Sequence, residues 1–225
     1  MLPPSSPPAR ILVFSRTTTY RHGSIEVGVE AVRALCTAAG IEVEATEDQA
    51  VFRDDHLAAF GATLWLSTSG EVLDADGRQA LQRFVAAGGG YVGVHGASDT
   101  EYGWDWYGQL VGTWFHRHPD IQAADVEVVD RGHPATAHLP AVWPRVDEWY
   151  DFVRPPRSDA RVLARVDESS YLGGGMGDDH PVVWCHDNEG GRSFYTAMGH
   201  TQESFAEDHF RGHLAGAIRW VLQRA

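Results

Sequence analysis

The alternation of short apolar segments with longer amphipathic segments is the feature of this sequence that most restricts its fold. The segments RILVF, ATLWL and YVGV are rich in branched and aromatic residues, which is typical of buried strands. The segments between them carry apolar residues at helical spacing, with Ser24 as a candidate N-cap of the first and Asp74 near the start of a later one. Strands separated by helices predict a mainly parallel sheet with right-handed crossovers and helices on both faces, which is an α/β fold.

The second half of the chain is less regular. Four segments indicate strands, several of them antiparallel, before a closing helix from about Phe210 to Gln223: ADVEVVD, RVLARVDESSY, HPVVWCHD and GRSFYTAMGHT. No composition shift and no internal repeat separates the halves, so we expect a single domain over residues 10–225. The Pro- and Ser-rich residues 1–9 are expected to form a short disordered lead, because they lack the pattern of a signal peptide.

Charge and composition exclude several classes of partner. A net charge of −13, with no local cluster of arginines, opposes binding to a phosphate backbone. No stretch approaches the roughly 18 consecutive apolar residues of a membrane helix. The two cysteines, Cys36 and Cys185, lie in a helical and a strand pattern and are expected in the core. We therefore expect a cytoplasmic protein without nucleic-acid or membrane partners, while its oligomeric state stays open.

The segment GGGYVGVHGASDT, residues 88–100, predicts a helix end, a buried strand and a polar turn. A turn of small residues directly after a buried strand commonly presents a nucleophile, but the residue at this tip is His95. Ligands of parallel sheets bind beyond the carboxyl ends of the strands. The loops that begin at Thr17, Ser67 and His95 are therefore predicted to converge on one site, with strained backbone at His95.

Several segments resemble those of the ThuA-like proteins, the trehalose-utilisation family, both in their residues and in their order along the chain. They are TYRHGSI, TEDQAVF, GGGYVGVHGASDTEYGWDWYGQLVG, DEWYDF, DHPVVWC and GGRSFYTAMGHTQESF. The resemblance extends from about Arg10 to Trp220. It implies a class I glutamine amidotransferase-like fold, which is a flavodoxin-like three-layer sandwich, and a role in the metabolism of carbohydrates, particularly trehalose and 3-keto-sugars.

The sequence departs from the amidotransferases at the catalytic turn. Those enzymes carry a cysteine at the tip and complete a triad with a histidine and a glutamate, whereas this chain has His95 at the tip, with His200 and Glu203 near the other two positions. An imidazole cannot replace the thiolate that attacks an amide, and Cys185 lies inside a strand pattern. The chain is therefore not predicted to be a glutamine amidotransferase. We predict His95, His200 and Glu203 as its catalytic residues.

Histidines that converge above a sheet support two kinds of chemistry. Neutral imidazoles bind a divalent transition metal, and we predict zinc held by His22, His95 and His200, with Glu203 orienting His200. Alternatively, His95 acts as a base in a metal-free site and Glu203 holds His200 as the acid. No nucleotide cofactor is expected, because the glycines at 88–90 precede a strand rather than follow one.

Aromatic and carboxylate side chains in the loops indicate a sugar substrate. Pyranose faces pack on aromatic rings, and carboxylates or histidines bind the hydroxyl groups. The rings of EYGWDWYG are the strongest compositional indication of such a platform, and acidic residues lie among aromatic residues in this segment and in DEWYDF. The predicted substrate-binding residues are His22, Asp99, Trp104, Trp106, Tyr107, His116, His118, Glu148 and His180.

Two functional hypotheses follow from these residues and from the resemblance. The first is a lyase, isomerase or hydrolase that removes a proton beside the carbonyl of a 3-keto disaccharide or glycoside, supplied by a partner sugar dehydrogenase. Elimination, isomerisation or hydrolysis would follow. The alternative is a non-catalytic sugar-binding or regulatory module on an amidotransferase-like fold.

Overall fold

The computed structural model describes residues 10–223, so the predicted lead over residues 1–9 lies outside the described residues. The strands are β1 (Arg10–Phe14), β2 (Glu42–Thr46), β3 (Ala62–Leu66), β4 (Gly90–Val94), β5 (Phe115–Arg117), β6 (Gln122–Val128), β7 (Val142–Asp147), β8 (Asp151–Phe152), β9 (Arg161–Val166), β10 (Pro181–Asn188) and β11 (Gly191–Thr196). The α-helices are α1 (Ile25–Ala38), α2 (Asp54–Leu57), α3 (Ala75–Ala86), α4 (Asp105–Val111) and α5 (Asp208–Leu222). Short 3-10 helices cover Gln49–Val51, His95–Ser98, Glu168–Ser170 and Glu203–Ala206.

The main sheet has nine strands in the order β2-β1-β3-β4-β11-β10-β9-β6-β7, and β5 pairs separately with β8. The strands from β2 to β11 in this order run parallel. The pairs from β11 to β7 are antiparallel. The predicted α/β fold is thereby confirmed, with β11 joining a parallel half to an antiparallel half.

The central parallel strands are buried along their whole length, as expected of strands covered on both faces. Every residue of β3 and β4 is buried. The side chains of Phe14, Phe52 and Trp65 pack edge to face beside them, with ring centroids 4.7 to 5.6 Å apart. Burying each such side chain contributes about 1.5–3 kcal/mol. This core holds the strand ends from which the site loops emerge.

Helices α1 and α3 begin at the residues that the sequence indicates, but only α3 is capped by a side chain. Asp74, expected near the start of α3, is its N-cap, and its carboxylate accepts a hydrogen bond from the backbone of Gly77 at 2.8 Å. Ser24 is the N-cap residue of α1 as predicted, but its side chain does not cap the helix, since Ser24 Oγ donates to the carbonyl oxygen of Gly199 at 3.1 Å. That bond ties the start of α1 to the loop after β11. No helix within residues 10–223 is long and apolar enough to cross a membrane.

The predicted strand-to-helix turn with strained backbone is confirmed at His95. This residue follows β4 directly, begins a 3-10 helix and has φ 50°. A left-handed conformation costs a residue other than glycine roughly 1–2 kcal/mol. Ser67, at the end of the neighbouring β3, has φ 47°. Two adjacent strands therefore end in strained turns at the same edge of the sheet.

Candidate functional site

Four side chains converge at the carboxyl edge of the parallel strands. His22 lies between β1 and α1, His95 follows β4, Glu148 follows β7 and His200 follows β11. One ligand atom from each of the four lies within 4.8 Å of the others. His22, His95 and Glu148 are buried, and the side chain of His200 is 17% exposed. We call these four residues the histidine cluster.

The donor atoms of the cluster are closely spaced. His95 Nε2 lies 3.1 Å from His200 Nδ1 and 3.3 Å from Glu148 Oε2. His200 Nδ1 lies 3.1 Å from the same carboxylate oxygen. The ring of His22 crosses the rings of His95 and His200 at centroid distances of 4.6 and 5.2 Å. The structure thus brings together the three histidines predicted as metal ligands and adds a carboxylate to them.

The orientation of His95 is fixed from behind by the main chain. Its Nδ1 donates to the carbonyl oxygen of Ala197 at 2.7 Å, and a carbonyl oxygen only accepts hydrogen bonds. Nδ1 therefore carries the hydrogen, and in the neutral ring Nε2 carries the lone pair. That lone pair points at His200 and Glu148. It can accept a hydrogen bond, take up a proton or bind a metal ion.

Tyr150 is a member of the site that the sequence analysis did not assign. Its hydroxyl lies 2.9 Å from His95 Nε2 and 3.5 Å from His22 Nε2, and its ring packs on that of His95 with centroids 4.3 Å apart. Burial raises the pKa of Tyr150 far above its usual value, and the charge of Glu148 raises it further. The phenol therefore stays protonated and donates to His95.

Burial and mutual charge give the members of the cluster different protonation preferences. Burial, followed by the positive charge of the neighbouring histidines, lowers the pKa of His22 to about 2. Burial opposes ionisation of Glu148, but its close contacts with His200 and His95 outweigh burial and hold its pKa below the usual value. Burial likewise opposes charging of His200, yet the bond to Glu148 raises its pKa overall. At neutral pH the site thus combines a neutral His22 with an anionic Glu148.

Three further groups form the rim of the cluster. His118 Nδ1 lies 2.8 Å from the carbonyl oxygen of Pro119 and 3.2 Å from Glu148 Oε1, and its side chain is 39% exposed. Asp99 accepts a hydrogen bond from Tyr102 at 2.9 Å, and burial raises its pKa. Tyr20, which the sequence analysis also did not assign, is 58% exposed, and its ring lies 4.7 Å from that of His22.

The predicted pairing of Glu203 with His200 is not found. Glu203 is exposed at the start of the 3-10 helix Glu203–Ala206, and within residues 10–223 its carboxylate makes no hydrogen bond or ion pair. The residues after His200 turn immediately into this helix, which directs Glu203 away from the cluster. Glu148, and not Glu203, is the carboxylate that pairs with His200.

The predicted aromatic platform also lies away from the cluster. Trp104 and Trp106 stack on each other at 4.9 Å, Arg78 lies over Trp104, and Trp106 Nε1 donates to Glu189. Tyr107 is fully buried, and its hydroxyl donates to the carbonyl oxygen of Ala97. These rings attach α4 to the core. The substrate-binding role predicted for them is not supported by their position.

Two other predicted histidines do not reach the cluster. His180 is fully buried, with Nε2 donating to the carbonyl oxygen of Tyr150 at 2.8 Å and Nδ1 lying 2.8 Å from Glu168. It supports the backbone of a site residue and has no surface to offer a substrate. His116 is exposed on β5, and its side chain makes no hydrogen bond or ion pair within the described part of the chain.

The fold and the cluster define an α/β protein with a histidine- and carboxylate-containing site at the strand ends. The family model for ThuA, described as trehalose utilisation, matches residues 10–221. The chain therefore belongs to the ThuA family. A comparison with curated proteins gives no match.

Solved structures agree with this family. A ThuA-like protein from Bacteroides uniformis is 25% identical, with a TM-score of 0.78 over 95% of this chain and 91% of that one. A ThuA-like protein from Parabacteroides merdae is 17% identical, with a TM-score of 0.79 over 96% and 90%. The cytoplasmic protein STM3548 from Salmonella typhimurium is 11% identical, with a TM-score of 0.67 over 94% and 98%. The last two similarities concern the fold alone.

Proposed function

We propose that this chain is a carbohydrate-processing enzyme that removes a proton beside the carbonyl group of an oxidised sugar. The substrate class is a 3-keto disaccharide or glycoside, and the enzyme is a lyase, isomerase or hydrolase. The family description of trehalose utilisation supports a sugar substrate. A carbonyl group acidifies the adjacent C–H bond, which makes proton removal accessible to a histidine.

The single observation that carries the proposal is the spacing of the donor atoms in the histidine cluster. We propose that His22, His95, His200 and Glu148 hold a divalent metal ion, zinc foremost. Zinc at its usual bond lengths of 2.0–2.2 Å separates tetrahedral ligand atoms by about 3.3–3.6 Å. The separations of 3.1 to 3.3 Å among His95, His200 and Glu148 lie at or just below the lower end of this range, so little movement is needed to receive the ion. The fixed Nδ1 hydrogen of His95 is typical support for a metal ligand.

The chemistry divides between the ion and the rim. When bound, the metal supplies positive charge that polarises a substrate oxygen. His118 takes the proton, because its Nδ1 hydrogen is held by the carbonyl oxygen of Pro119, its side chain is 39% exposed and its Nε2 has no hydrogen-bond partner within residues 10–223. Glu148, whose Oε1 lies 3.2 Å from His118 Nδ1, stabilises the imidazolium that forms. In the metal-free alternative, His95 is the base.

The supply of the substrate requires a second protein. A 3-keto-sugar forms when a hydroxyl group is oxidised, and no nucleotide-binding loop is predicted in this chain. We therefore propose a sugar dehydrogenase as partner and the cytoplasm as location.

We further propose that the parallel half is flavodoxin-like, as in class I glutamine amidotransferases. The order β2-β1-β3-β4-β11 supports this because it matches the flavodoxin order 2-1-3-4-5.

Metal analysis of protein purified without an affinity tag, combined with turnover of 3-keto-trehalose, tests the proposal. His95→Ala separates the two mechanisms. The metal mechanism requires loss of both bound metal and turnover, whereas the acid–base mechanism requires lost turnover with no metal in either protein. His95→Asn serves as a second variant, because asparagine tolerates the left-handed backbone at this position.

The same experiment addresses the non-catalytic alternative. A sugar-binding or regulatory module on this fold binds the keto-sugar without converting it. Binding measured by calorimetry, with no product after prolonged incubation of the metal-loaded protein, would replace the enzyme proposal with this one.

A further inference from the structure

Asp147 is the last residue of β7 and makes no contact with solvent. Its Oδ1 accepts from the backbone N–H groups of Glu148 and His200, both at 3.0 Å. Its Oδ2 accepts from the backbone N–H of Gly199 at 2.9 Å. One carboxylate therefore binds the main chain at two members of the histidine cluster, which are 52 residues apart in sequence.

The second oxygen of Asp147 is held in turn by side chains. Ser204 Oγ donates to Oδ2 at 3.2 Å, and Arg145 donates to the same oxygen at 3.2 Å. Arg145 also donates to Ser204 Oγ at 2.8 Å and pairs with Glu207. The carboxylate is thus fixed by neighbours on β7 and by the segment that precedes α5.

We infer that Asp147 is a positioning residue that sets the separation of Glu148 and His200 for metal binding. Its hydrogen bonds to the backbone N–H groups of Glu148 and His200 fix the origins of two side chains whose ligand atoms lie 3.1 Å apart. Partners that orient metal ligands typically change metal affinity by roughly 10–100-fold. The inference rests on the metal site proposed above, but it concerns a residue that touches neither ion nor substrate.

Asp147→Asn tests the inference, because asparagine has the same shape but places an amide group against backbone donors. We expect zinc affinity, measured by competition with a chromogenic chelator, to fall by about 10–100-fold. Glu101→Gln is the matched control. Glu101 is also fully buried, accepts two backbone N–H groups and pairs with an arginine, but it holds Val72 and Leu73 instead of the cluster. It is expected to lose thermal stability while keeping zinc affinity within about twofold.

Unchanged zinc affinity in folded Asp147→Asn, or an equal loss in Glu101→Gln, would overturn the inference. If Asp147→Asn does not fold, Ser204→Ala replaces it, since it removes one support of the carboxylate. Zinc affinity is then expected to fall about threefold, and an unchanged value overturns the inference.

The wild-type titration separates this inference from the proposed function. Absence of zinc binding there removes the proposed metal site. A crystal structure of Asp147→Asn, or of Ser204→Ala if Asp147→Asn does not fold, then decides the role of Asp147. The separation of Glu148 Oε2 and His200 Nδ1 must widen beyond 3.1 Å, and an unchanged separation overturns the inference.

Discussion

His95 Nδ1 donates its hydrogen to the carbonyl oxygen of Ala197 across 2.7 Å, which joins the turn after β4 to the segment after β11. This bond selects one tautomer of His95 and turns its Nε2 lone pair into the cluster. The Tyr150 hydroxyl, 2.9 Å away, donates to that lone pair. In the metal-free protein a phenol therefore occupies the lone pair that a metal ion needs.

Tyr150→Phe is expected to increase zinc affinity about two- to tenfold. The substitution removes the hydrogen bond that competes for His95 Nε2, and such a bond contributes about 0.5–1.5 kcal/mol. Chelator competition on the metal-free protein measures the change. Tyr107→Phe is the control, because it removes an equally buried hydroxyl that bonds to Ala97 outside the cluster. Weaker zinc binding by Tyr150→Phe would show that this hydroxyl supports the ion instead of competing with it.

Glu148→Gln is expected to weaken zinc binding, whereas Glu203→Gln is not. Loss of the Glu148 charge removes an anionic ligand and the partner of His200. Zinc affinity is therefore expected to fall about 100-fold or more, since loss of a residue that only orients a metal ligand already costs roughly 10–100-fold. Glu203 is exposed, and its substitution is expected to leave zinc affinity unchanged. Titration of both variants by calorimetry checks this pair. A loss confined to Glu203→Gln would restore the original prediction of a triad carboxylate.

His22 gives the stability of the metal-free protein a defined pH dependence. Its pKa is about 2 when folded and 6.5 in the reference state, so below about pH 6.5 the unfolded chain binds a proton that the folded chain refuses. The wild type therefore loses stability as pH falls, by up to about 1.4 kcal/mol per pH unit. His22→Gln lacks this loss. Urea unfolding at pH 7.5 and pH 5 should show the wild type losing about 2 kcal/mol more than the variant; an equal loss in both contradicts the assignment.

The raised pKa of His200 acts in the other direction. Stability from its pairing with Glu148 is fully present below the unfolded pKa of 6.5 and is lost as pH rises through the folded value. The lowered pKa of Glu148 sets the acid limit of this stabilisation. The ion pair is lost when Glu148 becomes protonated, which happens as pH falls through the folded pKa of the carboxylate. Both pairing partners are retained in His22→Gln, so the comparison with the wild type isolates His22.

Tyr20 is expected to contact the sugar. Tyr20 is 58% exposed, its ring lies beside that of His22, and a single aromatic contact contributes about 0.5–1.5 kcal/mol. Tyr20→Ala should weaken trehalose or keto-trehalose binding about three- to tenfold without changing zinc affinity. Trp106→Ala, on the stacked pair bonded to Glu189, should leave sugar binding unchanged. Calorimetric titration with the sugar distinguishes these outcomes. Weaker sugar binding by Trp106→Ala, with none by Tyr20→Ala, would support the original prediction that the tryptophans bind the sugar.

The parallel half of the fold was predictable because its information is local. The continuous apolar segments of β3 and β4 can be satisfied only by strands covered on both faces, and the residue at the end of β4 then has to lie at the sheet edge. The turn at His95 and its convergence with His200 follow from that position. The partner of the Ser24 side chain was not predictable, since Gly199 lies 175 residues away in the chain.

The remaining errors in the site have a common physical cause, which is that sequence spacing does not give side-chain direction. Glu203 has the spacing of a triad residue, but the local 3-10 helix turns it to the surface. Tyr107 belongs to an aromatic-rich loop, but its spacing along α4 places it on the buried face. Tyr150 and Asp147 gave no separate signal, because their roles depend on partners more than 40 residues distant.

The position of β11 between β4 and β10 has a consequence for how the protein matures. The four cluster residues are spread from position 22 to position 200, so the cluster stays incomplete during synthesis until β11 has been made and has inserted beside β4. Sheets assembled from such distant segments fold slowly. Any ion that needs all four side chains binds only the finished fold and draws the folding equilibrium toward it by mass action. Metal supply would then influence how much of the newly made chain reaches its native state.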